Sequence, residues 1–192
     1  SSDLVSLFQG GFDTSSGTLA WIFFLLLQHP NVMQELQAEY DTVLHGTSTT
    51  SETVHQLKYT HQVIQETMRL YPSAPGVTRL SVDKDVIDGC EIPANSMVYT
   101  SFYAVHRRPD FWAAPLEFRP ERFEKDDALS HQFAYVPFAT GPRMCIGDQF
   151  ALFEMRLTVA ALLQRYRFTL KPGYVLETSE DATYFPKTLP VL

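Results

Sequence analysis

A single cysteine lies in a segment whose neighbours would fix both its position and its charge. Residues 138–147 read FATGPRMCIG, and an apolar stretch typical of a helix follows directly. Free N–H groups and the dipole at the start of that helix would favour a thiolate at Cys145, and Arg143 adds positive charge. Gly141 and Pro142 predict a tight turn. The segment favours a shielded metal ligand; the alternative is an inert buried thiol, the usual state of a free cysteine.

The other cysteine and the histidines bear on which metal this would be. Zinc would require several Cys or His ligands at close spacing. Cys90 has no such neighbour, and the six histidines are scattered without a ligand spacing beside either cysteine. Haem iron can be held by one cysteine, because the porphyrin supplies the in-plane donors. A lone cysteine therefore fits haem better than it fits zinc.

Two shorter motifs carry charged residues. Glu66 and Arg69 stand three positions apart, so on a helix they share one face. Residues 120–123 read PERF and contain Arg122. The alternative for the first motif is an exposed ion pair, which is common and contributes little stability. The second motif is compatible with many kinds of loop.

Near the start of the chain, residues 10–15 read GGFDTS. An acid beside a hydroxyl, here Asp13 and Thr14, could relay protons. Two glycines inside a helix cost about 1 kcal/mol each relative to alanine, so they need a reason. One reason is a groove in which a flat group approaches the backbone closely. The alternative is a helix that begins here, with Asp13 or Thr14 as its N-cap.

Composition limits the class of protein. The chain has 192 residues, of which 45% are hydrophobic and 19% charged, as in an ordinary globular domain. Its net charge of −7 argues against a nucleic-acid partner. The small number of cysteines favours a reducing compartment, and the longest apolar run, 19–27, is too short to span a bilayer. Neither end reads as a natural boundary, so we expect a fragment.

The elements that must position these motifs follow from apolar spacing and turn residues. Spacings of three and four predict helices, and short β-branched runs between turn signals predict a small antiparallel sheet. A weak β pattern near the end of the chain predicts a terminal hairpin around residues 168–170, Val175 and Tyr184. The predicted helices cover 3–28, 31–44, 51–71 with a break near Lys58, and 148–166, and the predicted sheet covers 77–101 with turns at Asp88-Gly89 and 93–95.

Taken together and in this order, the four motifs resemble those of the cytochrome P-450 superfamily of haem-thiolate monooxygenases. FATGPRMCIG agrees with F-x-x-G-x-R-x-C-x-G at every fixed position, and ETMR agrees with E-x-x-R. PERF matches the arginine-bearing loop between them, and GGFDTS matches the oxygen-activating kink of the long central helix. The resemblance implies a mainly α fold with a minor antiparallel β-sheet, the C-terminal portion of that fold. Residues 1–192 would then form one partial haem domain.

The resemblance also implies a role for each motif residue. Cys145 would be the thiolate ligand of the iron of haem b, and Arg143 and Arg79 would pair with its propionates. Asp13 and Thr14 would assist the activation of O2, the co-substrate. The full set of cofactor-binding residues would be Gly10, Gly11, Arg79, Phe138, Gly141, Arg143, Cys145 and Gly147. Residues 138–147 are called the cysteine loop below. The network that holds this loop would be Glu66, Arg69 and Arg122.

The implied reaction is the insertion of one oxygen atom from O2 into a C–H bond of a lipophilic small molecule. A reductase or a ferredoxin would supply the electrons. ETMRLYPSAP and FALFEM look most like the branch with fatty-acid hydroxylases and microsomal enzymes, and membrane association stays open. Substrate contacts would come from Phe8, Phe12, Ala74, Pro75, Gly76, Val77, Ala182 and Thr183, for each of which plain core packing is the alternative.

Two other classes of function stay open at this point. One is a peroxide-using, dehydratase or isomerase enzyme on the same fold. The other is an inactive, haem-binding fragment. The family's chains are about twice as long as this one, so we expect the full-length parent to be the active enzyme and the isolated chain to be inactive or poorly folded.

Overall fold

Helices make up most of the structure, as the apolar spacing predicts. The computed structural model describes residues 2–125, 131–179 and 183–192. The mainly helical fold with small antiparallel ladders is confirmed. The helices are α1 Ser2–Gln28, α2 Pro30–Leu44, α3 Lys58–Leu70, α4 Phe102–Val105 and α5 Asp148–Leu163, with short 3₁₀ turns at Val54–Gln56, Pro120–Phe123 and Gly141–Arg143.

Helix α1 continues through its paired glycines without a break. It is helical from Ser2, so the alternative of a helix that begins at Asp13 or Thr14 is wrong. Its buried residues begin at Ser15 and belong to the C-terminal half. The N-terminal half exposes apolar side chains, among them Phe8 at 74% and Phe12 at 62%. Only one half of the helix is thus packed in the core.

The core lies where that C-terminal half meets α2, α3 and α5. Trp21, Leu36, Ile64 and Val159 contribute one fully buried side chain from each of these helices. Glu39 of α2 joins two of them directly, because its carboxylate accepts hydrogen bonds from the main-chain N–H groups of residues 59 and 60, which open α3. These N–H groups have no partner within their own helix, so α2 caps α3.

The β segments form two separate ladders, where the sequence analysis predicted one sheet. Strands β1 Gly76–Leu80 and β4 Met97–Ser101 pair antiparallel, and so do β2 Asp85–Ile87 and β3 Cys90–Ile92. The prediction of one sheet was wrong because β2 and β3 form their own hairpin. Asp88 and Gly89 both have positive φ, at 49° and 77°, which is the twist of a type I′ turn.

The remaining element boundaries differ from the predictions by a few residues. The break predicted near Lys58 is a 3₁₀ turn followed by the start of α3. Helix α5 begins at Asp148 and ends at Leu163, three residues before the predicted end. The terminal hairpin is limited to the isolated bridges Leu170↔Val191 and Thr178↔Pro186. Prolines at positions 172, 186 and 190 account for this, because proline cannot donate to a ladder.

Candidate functional site

The loop before α5 holds Cys145 through its own backbone. The Cys145 N–H donates to the carbonyl of Phe138 at 2.9 Å, and the Met144 N–H donates to the carbonyl of Gly141 at 3.0 Å. Gly141 has a φ of +75°, which side-chain-bearing residues rarely adopt. Ala139 adopts φ 61° and stores local strain of the kind found at functional sites. The result is a tight loop that leaves the thiol exposed.

The sulfur of Cys145 lies beside the start of α5. Gly147 is the N-cap of that helix, and a Cβ built on it would lie 3.9 Å from Cys145 Sγ. The first turn of α5 and its positive dipole end are therefore close to the sulfur, and the Gln149 N–H in this turn donates to Asp148 Oδ1 at 2.7 Å. That this helix start favours a thiolate at Cys145 stays a prediction from the sequence.

A cavity of about 660 Å³ brings the cysteine loop and α1 together. This volume is within the range usual for cofactor and ligand sites. The loop after α3 contributes Pro72, Ser73 and Ala74 to the wall, and β1 contributes Val77. The predicted site residues in its wall are Gly10, Gly11, Thr14, Ala74, Val77, Phe138, Arg143, Cys145 and Gly147.

The α1 side of the cavity is open and carries hydroxyl groups. A Cβ built on Gly10 or Gly11 would meet no atom within 4 Å. The Thr14 hydroxyl donates to the carbonyl of Gly10 at 2.6 Å, which leaves its oxygen lone pairs free to accept. Sequence reasoning missed a second pair in the same wall, Thr18 and Ser73, whose hydroxyl oxygens lie 2.9 Å apart.

Other predicted site residues lie outside this wall. Phe8 and Phe12 stack on each other with ring centroids 6.0 Å apart and are largely exposed. Asp13 is half-buried on α1, and Arg79 is exposed on β1, where it donates to the carbonyl of Thr78. The rest of this group are Pro75, Gly76, Gly141 and Thr183, while Ala182 is outside the described residues. Their roles stay predictions.

Glu66 and Arg69 form a fully buried pair. Arg69 donates from Nε to Glu66 Oε2 at 2.6 Å and from Nη2 to Oε1 at 2.8 Å, and both side chains are 0% exposed. The guanidinium also donates to the carbonyls of His106, Pro115 and Glu117. Its face lies over the Trp112 ring, 4.9 Å from the centroid. The Glu66 carboxylate and these acceptors together compensate the positive charge of Arg69, which would otherwise be costly to bury.

Arg122 joins the network from the 3₁₀ turn Pro120–Phe123. Its Nε donates to Glu66 Oε1 at 3.1 Å, and its other nitrogens donate to the carbonyls of Ala113 and Ala114. Burial lowers the pKa of Arg122, and the Glu66 carboxylate opposes that shift. The Arg119 main-chain N–H supplies a further donor to Glu66 at 2.9 Å. One carboxylate thus ties α3 to the loop of residues 106–123.

His106 is a further buried residue that sequence reasoning missed. It follows α4 directly and is 0% exposed. Its Nε2 accepts the main-chain N–H of Val136 at 2.9 Å, two residues before the cysteine loop. Burial, with a smaller contribution from Arg69, lowers the pKa of His106 to about 4. No local pattern in the sequence marks this contact, because its partners are 30 residues apart.

The family model described as Cytochrome P450 matches residues 2–189. The chain belongs to the cytochrome P450 family. Carotene epsilon-monooxygenase of Arabidopsis thaliana is 35% identical over 94% of this chain and 34% of its own length. Cytochrome P450 3A5 of Homo sapiens is 43% identical over 82% of this chain and 32% of its own length.

Solved structures agree with the family. The crystal structure of the cytochrome P450DA heme domain superposes with a TM-score of 0.88 at 33% identity, over 93% of this chain and 40% of that one. Protein LUTEIN DEFICIENT 5 of Arabidopsis thaliana is 37% identical over 89% of this chain and 29% of its own length. This chain therefore spans about a third of the length of several curated relatives that it matches.

The residues of this P450 chain fit haem on the chemistry of the site. One thiol lies in a cavity wall that includes an exposed arginine, Arg143, and no carboxylate of the described residues pairs with that arginine. The space beside Gly10 and Gly11 could admit a flat group close to α1. Elsewhere in the described residues, no three His, Cys, Asp or Glu side chains are grouped as they would be around a metal ion. Among these same residues, no helix has the length and hydropathy that a bilayer crossing requires.

Proposed function

We propose that the protein is a haem-thiolate monooxygenase that inserts one oxygen atom from O2 into a lipophilic substrate, with electrons from a separate redox partner. The observation that carries this proposal is the shared cavity, which has Cys145 and Arg143 in one wall and Gly10, Gly11 and Thr14 in another. A single thiolate ligand opposite an open glycine pair suits haem b. Haem supplies the activation of O2, and thiolate ligation favours O–O cleavage.

The protein's own residues would bind the haem and would donate or accept hydrogen bonds around it. Cys145 would coordinate as a thiolate, stabilised by the start of α5, while the Arg143 guanidinium would pair with a propionate. The Thr14 oxygen faces the cavity and could accept a hydrogen bond, since its proton is donated to Gly10. Asp13, one residue earlier and half-buried, would exchange protons between Thr14 and solvent.

The cavity wall supports the proposal of a lipophilic substrate. Its side chains are mostly apolar, and they include Leu7, Met68, Val77, Phe102 and Phe150. Such a wall would bind a hydrocarbon surface by removing it from water. The names of relatives agree with this class, because one is a carotene monooxygenase.

Ligation by Cys145 is testable from a spectrum. The protein expressed from its natural gene and loaded with haem should show the red-shifted Soret band of a thiolate-ligated, reduced, CO-bound haem. Cys145→Ser should abolish that band. Cys90→Ser is the matched control, because Cys90 is the other exposed cysteine and lies in β3. A thiolate band that survives Cys145→Ser would rule out the assignment.

The source of the transferred oxygen distinguishes a monooxygenase from a peroxide-using enzyme. With a reductase, labelled O2 and a panel of fatty acids, steroids and carotenes, one labelled oxygen atom should appear in the product. Thr14→Ala should lower product formation relative to electron consumption. Ser16→Ala is the control, because this hydroxyl is on α1 but outside the cavity wall. Peroxide-driven turnover that is insensitive to Thr14→Ala would instead favour the peroxide-using alternative.

A further inference from the structure

His106 is enclosed by aromatic rings and by the arginine network. Its ring centroid lies 5.4 Å from that of Tyr135 and 6.4 Å from that of Phe102. The residue is 0% exposed. A titratable group in such a place needs a defined set of hydrogen bonds to be tolerated.

The hydrogen bond from Val136 determines which ring nitrogen is protonated. A main-chain N–H can only donate, and it approaches His106 Nε2 at 2.9 Å. Nε2 must therefore be unprotonated, so the neutral ring carries its proton on Nδ1. Within the described residues, Nδ1 is buried and makes no well-formed hydrogen bond, although the main chain of Met68 and Arg69 lies near enough to favour a protonated ring. The ring serves as an acceptor only while it is neutral.

This residue connects the buried network to the cysteine loop. On one side, its main-chain carbonyl accepts Arg69 Nη1 at 2.8 Å. On the other side, its ring nitrogen Nε2 accepts the main-chain N–H of Val136. The carbonyl of Val136 in turn accepts the Ala139 N–H at 3.1 Å. Phe138, inside that turn, accepts the Cys145 N–H at 2.9 Å. A short series of hydrogen bonds and chain connections thus runs from Arg69 through His106 to the main-chain N–H of Cys145.

The charges around the ring oppose its protonation. Burial is the main cause that lowers the pKa of His106, and the charges of Arg69 and Arg107 lower it further. The main chain of Met68 and Arg69 favours the protonated ring but is outweighed by burial. Tyr135 stays neutral, because burial raises its pKa well above the usual range. Glu66, the acid of the network, already accepts hydrogen bonds from two arginine side chains.

We infer that neutral His106 is a positioning residue for the cysteine loop, and that protonation of its ring releases Val136 and with it the geometry of Cys145. A protonated ring would present an N–H to the N–H of Val136, so the contact would become repulsive. The inference depends on the proposed function only in using the thiolate spectrum as its measure.

The experiment compares acid sensitivity in the haem-loaded protein. His106→Gln places an amide oxygen near Nε2 and cannot titrate, whereas His106→Phe keeps a ring but loses the acceptor. Each variant is held at the urea concentration that leaves half of it thiolate-ligated at pH 8, and the pH is then lowered to 5. The pKa of His106 is 6.5 in the released loop and about 4 while its ring accepts the Val136 N–H. Lowering the pH from 8 to 5 should therefore raise the ratio of protein without the thiolate band to protein with it. This rise should be about 30-fold larger in the natural protein than in His106→Gln.

The control is His131→Gln. His131 also accepts a main-chain N–H, from Phe133 at 3.1 Å, but it is exposed. This variant should keep the acid response of the natural protein. His106→Phe should need less urea than His106→Gln for half loss at pH 8. Equal acid responses in the natural protein and His106→Gln, or equal urea midpoints for His106→Gln and His106→Phe, would overturn the inference.

A measurement on the unaltered protein covers the case in which a variant does not fold. In the reduced CO-bound form, with nitrogen-labelled histidine, the ring in contact with the Val136 amide should be neutral and protonated at Nδ1 at pH 5. A charged ring at pH 5, or one protonated at Nε2, would refute the inference. Absence of a thiolate band at pH 8 in every variant would instead contradict the proposed function.

Discussion

Replacement of Glu66 by glutamine removes the charge that the buried network requires. The Glu66 carboxylate accepts hydrogen bonds from the Arg69 guanidinium through both of its oxygens. It also accepts hydrogen bonds from Arg122 Nε and from the main-chain N–H of Arg119, and all four donor–acceptor distances are 2.6–3.1 Å. Glutamine has only one acceptor oxygen. Its amide N–H₂ would therefore face an arginine donor, and the fully buried guanidinium of Arg69 would lose its counter-charge.

The expected cost is large because Arg69 cannot reach water. It is 0% exposed, and its remaining partners are neutral carbonyls and the Trp112 ring. Breaking one member of a buried ion pair costs about 3–5 kcal/mol, which is a factor of roughly a thousand in the ratio of folded to unfolded protein. Domains commonly have only about 5–15 kcal/mol of stability, so much of the folded population is at risk.

The assay is urea unfolding of the haem-loaded protein, followed by circular dichroism and by the thiolate spectrum. Glu117→Gln is the matched control, because Glu117 is exposed and lies 3.9 Å from Arg119. It should lower the free energy of unfolding by less than about 1 kcal/mol. If Glu66→Gln accumulates no folded protein, Arg122→Lys tests a less buried member of the network. Losses from Glu66→Gln or Arg122→Lys no larger than that of Glu117→Gln would refute the reasoning.

Three further changes test other parts of the structure. In Gly76→Ala, the new Cβ would lie 2.4 Å from the carbonyl oxygen of Thr100; a clash with backbone should lower the free energy of unfolding by about 1–3 kcal/mol, and an unchanged melting temperature would contradict this. Glu39→Gln weakens the cap of α3 and should cost about 1–2 kcal/mol in urea unfolding, unlike an exposed control such as Glu124→Gln. The pKa of His106 is about 4 when folded and 6.5 ordinarily. Between these pH values, the unfolded chain therefore binds more protons than the folded chain. The free energy of unfolding should fall by up to about 3 kcal/mol as the pH drops from 6.5 to 4. A loss of the same size in His106→Gln would show that His106 is not the cause.

Features that depend on neighbours in the chain could be predicted from the sequence. The turn at Gly141 follows from glycine before proline, and the pairing of Glu66 with Arg69 follows from helical spacing. The continuous α1 is less clearly specified by the sequence, because GGFDTS is also compatible with a helix start; the apolar spacing upstream of it favours the continuous helix.

Features that depend on packing could not be predicted in the same way. The carbonyls that surround Arg69 come from positions 106, 115 and 117, in a segment with little periodicity. The contacts of His106 with Val136 and of Thr18 with Ser73 join residues 30 and 55 positions apart. The β ladders divided into two because pairing partners are chosen in space, and short alternating runs do not specify which strands will meet.

Among the described residues, packing on α1 begins at Ser15, so a tilt of the exposed half of the helix within this chain would pivot about that residue. At about 1.5 Å per residue, Thr14 lies within about 2 Å of the pivot, while Leu7 lies about 12 Å beyond it. A tilt of about 10° about that point would move Leu7 by about 2 Å and Thr14 by about 0.3 Å. Such a tilt would therefore widen or narrow the cavity at Leu7 while the Thr14 hydroxyl keeps almost the same place in the wall.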